Sequence, residues 1–92
     1  MTIKNKLEIN YAVHPGITLK EKLEELKMTP EELAVRTGAY IKTVYDILDA
    51  RSSITAKMAD QLEKVLDIPA SFWMAKQANY NEYISKEKKK KN

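Results

Sequence analysis

The sequence predicts an all-α domain of five short helices preceded by a short extended arm. Two observations support this prediction. Apolar residues recur at helical spacing along most of the chain, and helix boundaries are marked at Thr29-Pro30, Gly38 and Thr55. The chain has 92 residues, of which 43% are hydrophobic, and it has no Cys. We therefore expect one globular domain without disulfides or thiolate metal sites.

Residues 1–13 are predicted to form the arm, because apolar side chains alternate with polar or small ones at Leu7, Ile9, Tyr11 and Val13. Pro15 and Gly16 end this pattern. The first helix fits residues 17–27, and Thr18 with Glu21 would form a capping box near its start.

The second helix has the clearest start in the chain. Thr29 precedes a proline at the first helical position, and Glu32 lies three residues beyond the cap. Gly38 ends this helix. The third helix fits residues 41–49 and is followed by a turn at residues 50–53.

The remaining boundaries complete the domain, which we assign to residues 14–85. Thr55 caps a fourth helix that runs to residue 66, where Asp67-Ile68-Pro69 breaks it. The fifth helix fits residues 70–85. Residues 86–92, with five Lys and one Glu among the first six, are predicted to be a basic tail that is disordered or a frayed extension of the fifth helix, and we assign it as disordered.

The second and third helices are predicted to form a helix-turn-helix. The prediction rests on the relative positions of four residues, Ala34, Gly38, Val44 and Ile47. Ala34 is small where the two helices approach, and Gly38 tolerates the positive φ of a sharp turn. Val44 and Ile47 share one face of the third helix, so the opposite face is free. In such a motif the start of the third helix enters the major groove of DNA.

Further segments carry a resemblance to a known family. They are His14-Pro15-Gly16, Met28 to Ala34, Ile54 to Ala59, and Pro69-Ala70-Ser71-Phe72-Trp73 followed by Gln77-Ala78-Asn79-Tyr80. Together they resemble the HigA antitoxins, which belong to the lambda-repressor-like, XRE-type helix-turn-helix family. The last segment is the most specific, and the resemblance covers roughly Val13 to Tyr83.

The resemblance implies a transcriptional repressor that acts as the antitoxin of a type II toxin-antitoxin module. It implies a homodimer that binds a palindromic operator in double-stranded DNA, and a cognate RelE-like ribonuclease toxin as protein partner. Two positions depart from the family pattern. Tyr40 stands where a Ser-type cap is usual, and Asp49-Ala50 stands where Asn-Gly is usual.

Candidate DNA contacts lie on and around the third helix. Lys42 and Thr43 are placed for base or phosphate contact, and Asp46 would orient Lys42 or accept from a cytosine amino group. Tyr40 and Tyr45 would touch DNA or mark a protein interface. The full set is Thr29, Arg36, Tyr40, Ile41, Lys42, Thr43, Tyr45, Asp46, Arg51, Ser52 and Ser53.

The fifth helix carries the candidate dimer or partner interface: Phe72, Trp73, Gln77, Tyr80 and Ile84. No arrangement of side chains suited to catalysis, metal binding or cofactor binding is visible, so we expect a non-enzyme without metal or cofactor. The absence of a signal peptide or apolar span predicts a soluble, cytoplasmic protein without membrane contact.

Net charge argues weakly for nucleic acid. The chain carries +3, but the lysine-rich end supplies more than all of it and the body is close to neutral. A protein-binding module with little specific DNA binding is therefore the alternative. A third reading is a stand-alone relative of regulators in which this domain precedes a zinc peptidase domain.

Overall fold

The computed structural model describes residues 13–91, with side chains described as far as residue 87. Five helices follow one another in this part of the chain: α1 (Pro15–Leu26), α2 (Pro30–Thr37), α3 (Ile41–Leu48), α4 (Ala56–Leu66) and α5 (Ala70–Lys91). No strand occurs between residues 13 and 91, so the predicted all-α, five-helix fold is confirmed. The predicted arm lies outside the described residues except for Val13.

The helix starts follow the predicted caps with one exception. The Thr29 hydroxyl accepts a hydrogen bond from the Glu32 backbone N–H at 3.0 Å, and Thr55 caps α4 in the same way. The capping box predicted for α1 is wrong, because this helix has already begun at Pro15. Its cap is His14, whose Nδ1 accepts from the Gly16 backbone N–H at 2.9 Å. Proline at the first helical position, with φ already set, fixes this earlier start.

Gly38 ends α2 in the left-handed conformation, with φ of 74°. The Ala39 backbone N–H donates to the Ala34 carbonyl oxygen at 3.1 Å, which satisfies one of the last carbonyls of the helix. The predicted role of Gly38 as the residue that allows the sharp turn is therefore confirmed.

The fifth helix is 22 residues long and extends to Lys91, well beyond the predicted end at Ser85. The backbone of residues 86–91 is helical, so the assignment as disordered is wrong there and the alternative of a helical extension applies. Lys and Glu are good helix formers, so they extend an existing helix without needing a buried face. No helix in the described part of the chain is both long and apolar enough to cross a membrane.

The core lies where α5 packs against α4 and α1, and where α2 packs against α3 and α4. Its largest fully buried side chains are Trp73, Leu19, Leu33, Ile47, Ile54 and Leu62. Each of the five helices contributes one of them, and Ile54 lies in the segment between α3 and α4. The recognition motif therefore rests on a core built from all five helices.

Gly16 allows an unusually close approach between two helices. A Cβ at this position would overlap the backbone carbonyl oxygen of Ile47, near the end of α3. The start of α1 therefore lies directly against the end of α3, and only glycine fits there. This contact fixes α3 at the end opposite to its exposed first turn.

Candidate nucleic-acid interface

Helices α2 and α3 form the predicted helix-turn-helix. Ala34, Val44 and Ile47 are buried between these helices and the rest of the domain, as the spacing predicted. A hydrogen bond adds to the packing, because the Tyr45 hydroxyl donates to Glu31 Oε2 at 2.6 Å. The second helix of the pair, α3, is called the recognition helix below.

The first turn of the recognition helix projects into solvent. Tyr40 is 84% exposed and Ile41 40% exposed, while Lys42 and Thr43 are also exposed. These are the residues that a helix-turn-helix places against base edges in the major groove. The structure thus brings together four predicted contact residues on one exposed surface.

Asp46 holds two cationic side chains at the far end of this surface. Lys42 Nζ lies 2.9 Å from Asp46 Oδ2, and Arg51 Nη2 lies 3.3 Å from Asp46 Oδ1. The hydrogen bond from Lys42 is the main reason that the pKa of Asp46 lies below its ordinary value. The predicted ion pair between Asp46 and Lys42 is therefore present, and the carboxylate is charged near neutral pH.

Other candidate contacts also have partners within the chain. Arg51 makes a second ion pair with Asp49 at 3.2 Å, and Arg36 Nη2 lies 2.7 Å from Glu32 Oε2. The Tyr45 hydroxyl donates to Glu31, which raises the pKa of Tyr45 and lowers that of the carboxyl. These side chains would share or exchange an internal partner on contact with DNA.

The remaining candidates flank the recognition helix. Thr29 is exposed, although its hydroxyl oxygen already caps α2. Ser53 is exposed and Ser52 is half-buried in the turn after α3, where the Ser52 backbone N–H donates to the Asp46 carbonyl oxygen at 3.2 Å. Contact between these residues and phosphate remains a prediction.

Both departures from the family pattern have the structural effect expected of them. Tyr40 occupies the cap position of α3 and makes no side-chain capping hydrogen bond. Ala50 follows the recognition helix with φ of 62°, a left-handed conformation that costs a residue with a β-carbon more than it costs glycine. The first turn of α3 therefore lacks a side-chain cap, and its last carbonyl oxygens accept from the Ala50 and Arg51 backbone N–H groups at the expense of the positive φ of Ala50.

Two of the residues predicted for the dimer or partner interface are core residues instead. Trp73 is fully buried within the single chain and Gln77 is 3% exposed, so their assignment to an interface is wrong. Gln77 Oε1 accepts a hydrogen bond from the Ile54 backbone N–H at 2.8 Å. The two residues are four apart and so share the face of α5 that packs on the domain.

Phe72, Tyr80 and Ile84 keep some exposure on α5. Phe72 is 40% exposed, and the other two are half-buried. Tyr80 also packs edge-on against the His14 ring, with centroids 4.9 Å apart. Their role in an interface remains a prediction.

Sequence reasoning missed the structural role of His14, which it considered only as part of the His14-Pro15-Gly16 segment. The ring is 5% exposed, and burial lowers its pKa, while a hydrogen bond with the Ser52 backbone acts in the opposite direction. His14 thus joins the start of α1 to the turn after the recognition helix and to α5. The available signal was its position directly before Pro15, which is the position of a helix cap. Within the described residues no group of three or more potential metal-ligating side chains comes together.

Comparison with solved structures reveals close relatives. An addiction module antidote protein of the HigA family from Coxiella burnetii is 33% identical, with a TM-score of 0.83 over 87% of this chain and 88% of that chain. An antitoxin HigA from Pseudomonas aeruginosa, solved with the higBA promoter, matches with the same identity, TM-score and coverage.

Among curated proteins, the virulence-associated protein A' of Dichelobacter nodosus is 32% identical over 69 residues, or 74% of this chain. The match spans 60% of the length of that relative. No family model matches the chain. The similarity to solved structures covers the helix-turn-helix as well as the helices that support it.

Proposed function

The chain belongs to the HigA family of antitoxins, and on that premise we propose that it is a sequence-specific DNA-binding repressor of its own operon. The exposed first turn of the recognition helix carries this proposal, because it presents Tyr40, Ile41, Lys42 and Thr43 on a helix whose opposite face is buried. The Pseudomonas aeruginosa relative was solved with a promoter, which supports the same use of this surface.

Binding would begin with the recognition helix entering the major groove. Phosphates on either side would then meet Arg36, Arg51 and the turn that contains Ser52 and Ser53. Each arginine would leave or share its present carboxylate partner in this step. Thr29 and the first backbone N–H groups of α2 would face a phosphate as well.

A repressor of this kind acts as a twofold homodimer on a palindromic operator. The two recognition helices would lie about 34–36 Å apart and so occupy successive major grooves. Phe72, Tyr80 and Ile84 on α5 are our candidates for the dimer or toxin interface, since Trp73 and Gln77 are excluded by their burial.

We further propose that the chain neutralises a cognate toxin, a RelE-like ribonuclease, and that it has no enzymatic activity of its own. Toxin neutralisation is supported by the description of the relatives, one as an antidote protein and the other as an antitoxin. Since the proposed ligand is operator DNA, we place its action in the cytoplasm.

Fluorescence anisotropy tests the DNA-binding proposal. The chain is titrated against the duplex upstream of its own coding frame and against a scrambled duplex, at two salt concentrations. We expect tight binding to the native duplex only, weakened by salt because phosphate contacts release counterions. Lys42→Ala should weaken binding, whereas Lys64→Ala, an exposed lysine near the end of α4, serves as the matched control.

The alternative is a protein-binding module that keeps the helix-turn-helix only as a scaffold. The pairing of Lys42, Arg51 and Arg36 with carboxylates favours it, because the surface then attracts phosphate weakly. Equal and weak binding to both duplexes, unchanged by Lys42→Ala, would support this alternative and contradict the repressor.

A further inference from the structure

The exposed first turn of the recognition helix begins with an apolar residue, Ile41. Side chains that read base edges there commonly carry hydrogen-bond donors. Ile41 is the first residue of α3 and is 40% exposed, and the neighbouring Tyr40 is 84% exposed. Exposing such side chains to water is unfavourable in the free protein. A partner with an apolar group at this point would remove that cost.

The cationic side chains around this turn are already engaged. In the described part of the chain, Arg36 pairs with Glu32, Lys42 with Asp46, and Arg51 with both Asp46 and Asp49. Arg and Lys read guanine through its O6 and N7 acceptors. Here those donors are shared with carboxylates, and because the ion pairs are exposed they weaken guanine readout only modestly. Contact between Ile41 and a base, in contrast, requires no exchange of partners.

The Ile41 side chain has no hydrogen-bond donor or acceptor. It lies in the first turn of the recognition helix, which in a helix-turn-helix faces the base edges of the major groove. The major groove offers one apolar group, the 5-methyl group of thymine. A branched aliphatic side chain packs well against that methyl group. Packing it against cytosine is unfavourable, because the cytosine amino group would be removed from water without gaining a new hydrogen-bond partner.

We propose that Ile41 is a specificity-determining residue that reads the 5-methyl group of a thymine in each operator half-site, with the Tyr40 ring beside it. The inference rests on the proposed DNA binding and adds the chemical group that is recognised. Burial of one methyl group corresponds to a preference of about threefold to fivefold for thymine over uracil at that position.

The test replaces each thymine of the operator half-site in turn with deoxyuridine, symmetrically in both halves, and measures Kd by fluorescence anisotropy. Deoxyuridine keeps the base pair and every hydrogen-bonding group and removes only the methyl group. We expect one position at which this change weakens binding of the wild-type chain, and Ile41→Ala should bind the thymine and deoxyuridine duplexes equally there.

Two variants make this test specific. Ile41→Val keeps a branched apolar side chain and should keep part of the discrimination. Ile17→Ala shortens a similarly exposed isoleucine on α1 and should keep all of it. Circular dichroism establishes that each variant folds, which is expected because neither side chain belongs to the core.

The outcomes separate this inference from the proposal on which it rests. Binding to the native duplex in preference to a scrambled one, without any thymine at which deoxyuridine matters, overturns the role of Ile41 and leaves the repressor intact. Discrimination that survives in Ile41→Ala overturns it as well. Absence of any preference for the native duplex would instead contradict the repressor itself.

Discussion

Gln77 and Ile54 are joined by a hydrogen bond that links α5 to the segment following the recognition helix. The Gln77 side-chain oxygen accepts from the Ile54 backbone N–H at 2.8 Å, and both residues are buried. The other end of the amide donates from Nε2 to Asn81 Oδ1 at 3.0 Å. The position of the turn after α3 therefore depends on a side chain of the last helix.

Replacing Gln77 with Met should destabilise the domain. The substitution keeps the volume but leaves the Ile54 N–H buried without an acceptor, which costs about 1–3 kcal/mol in the free energy of unfolding. Urea denaturation followed by circular dichroism measures this loss. Asn81→Ala removes only the more exposed partner of the same amide and should cost much less, and similar losses for both variants would contradict the argument.

Ala50→Gly should stabilise the protein. Ala50 has φ of 62°, where a β-carbon is unfavourable, so glycine relieves strain after the recognition helix. The expected gain is about 0.5–1 kcal/mol, because the added freedom of glycine in the unfolded chain offsets part of the relief. The urea midpoint should rise with an unchanged slope.

The same replacement elsewhere provides the control for Ala50. Ala78 is exposed within α5, and Ala78→Gly should lower stability by about 1 kcal/mol, as glycine does inside helices. A loss of stability in both variants would show that the turn after α3 does not strain residue 50.

Gly16→Ala should destabilise the domain although alanine is the better helix former. The new methyl group would overlap the Ile47 carbonyl oxygen, which is backbone and cannot rotate away. Overpacking of this kind costs about 1–3 kcal/mol, measured by thermal or urea denaturation. Gly38→Ala is the comparison, since open space surrounds Gly38 and only its positive φ is strained. Greater tolerance at Gly16 than at Gly38 would contradict the close approach of α1 and α3.

Asp46→Asn should strengthen DNA binding. The change releases Lys42 and Arg51 from the carboxylate that pairs with both, and the repulsion between Asp46 and phosphate disappears. Because exposed ion pairs are weak, we expect binding to tighten by only about twofold to fivefold, for native and scrambled duplexes alike. Anisotropy titrations at low salt measure this change.

The control for Asp46 is Asp60→Asn on the exposed side of α4, which alters net charge equally without touching the recognition helix. It should leave Kd almost unchanged. Weaker binding of Asp46→Asn would mean that the carboxylate contacts DNA directly, as an acceptor for a cytosine amino group.

Acidification should destabilise the protein through His14. Burial lowers its pKa from the ordinary value of 6.5, and a proton on Nδ1 would remove the acceptor that caps α1. The unfolded chain therefore binds this proton more readily than the folded chain. Its contribution to stability is complete above about pH 6.5 and decreases as the pH falls from there towards the folded-state pKa.

Urea denaturation between about pH 8 and pH 5.5 measures this dependence, above the range in which carboxylates titrate. His14→Asn keeps a capping oxygen that cannot be protonated in this range. Its stability should change less with pH than that of the wild type. Equal profiles for the two proteins would rule out His14 as the source.

The sequence predicted the helix-turn-helix well because its determinants are local. Thr29, Gly38 and Thr55 each act on backbone groups within four residues. The spacing of Val44 and Ile47 is by itself enough to indicate a buried helix face. The departures at Tyr40 and Ala50 were also predictable, since both concern the backbone of one turn.

The errors arose where burial depends on distant parts of the chain. Trp73 and Gln77 looked available for an interface because the face of α5 that meets Ile54 cannot be deduced from α5 by itself. His14 was overlooked for a similar reason, since its neighbours Ser52 and Tyr80 are far away in sequence. The ion pairs of Arg36 with Glu32 and of Arg51 with Asp49 are different, because their partners lie within four residues and the spacing could have indicated them.

The separation of buried and outward-facing residues within α3 has an evolutionary consequence. Val44 and Ile47, with Leu48 packed beside them, anchor the helix in the core, while Tyr40, Ile41, Lys42 and Thr43 are not part of it. Selection can therefore exchange the outward residues freely without unfolding the protein. Duplicated copies of such a gene in one genome could therefore come to bind different operator sequences within a few substitutions. Each regulator would then bind its own operon and not those of the other copies.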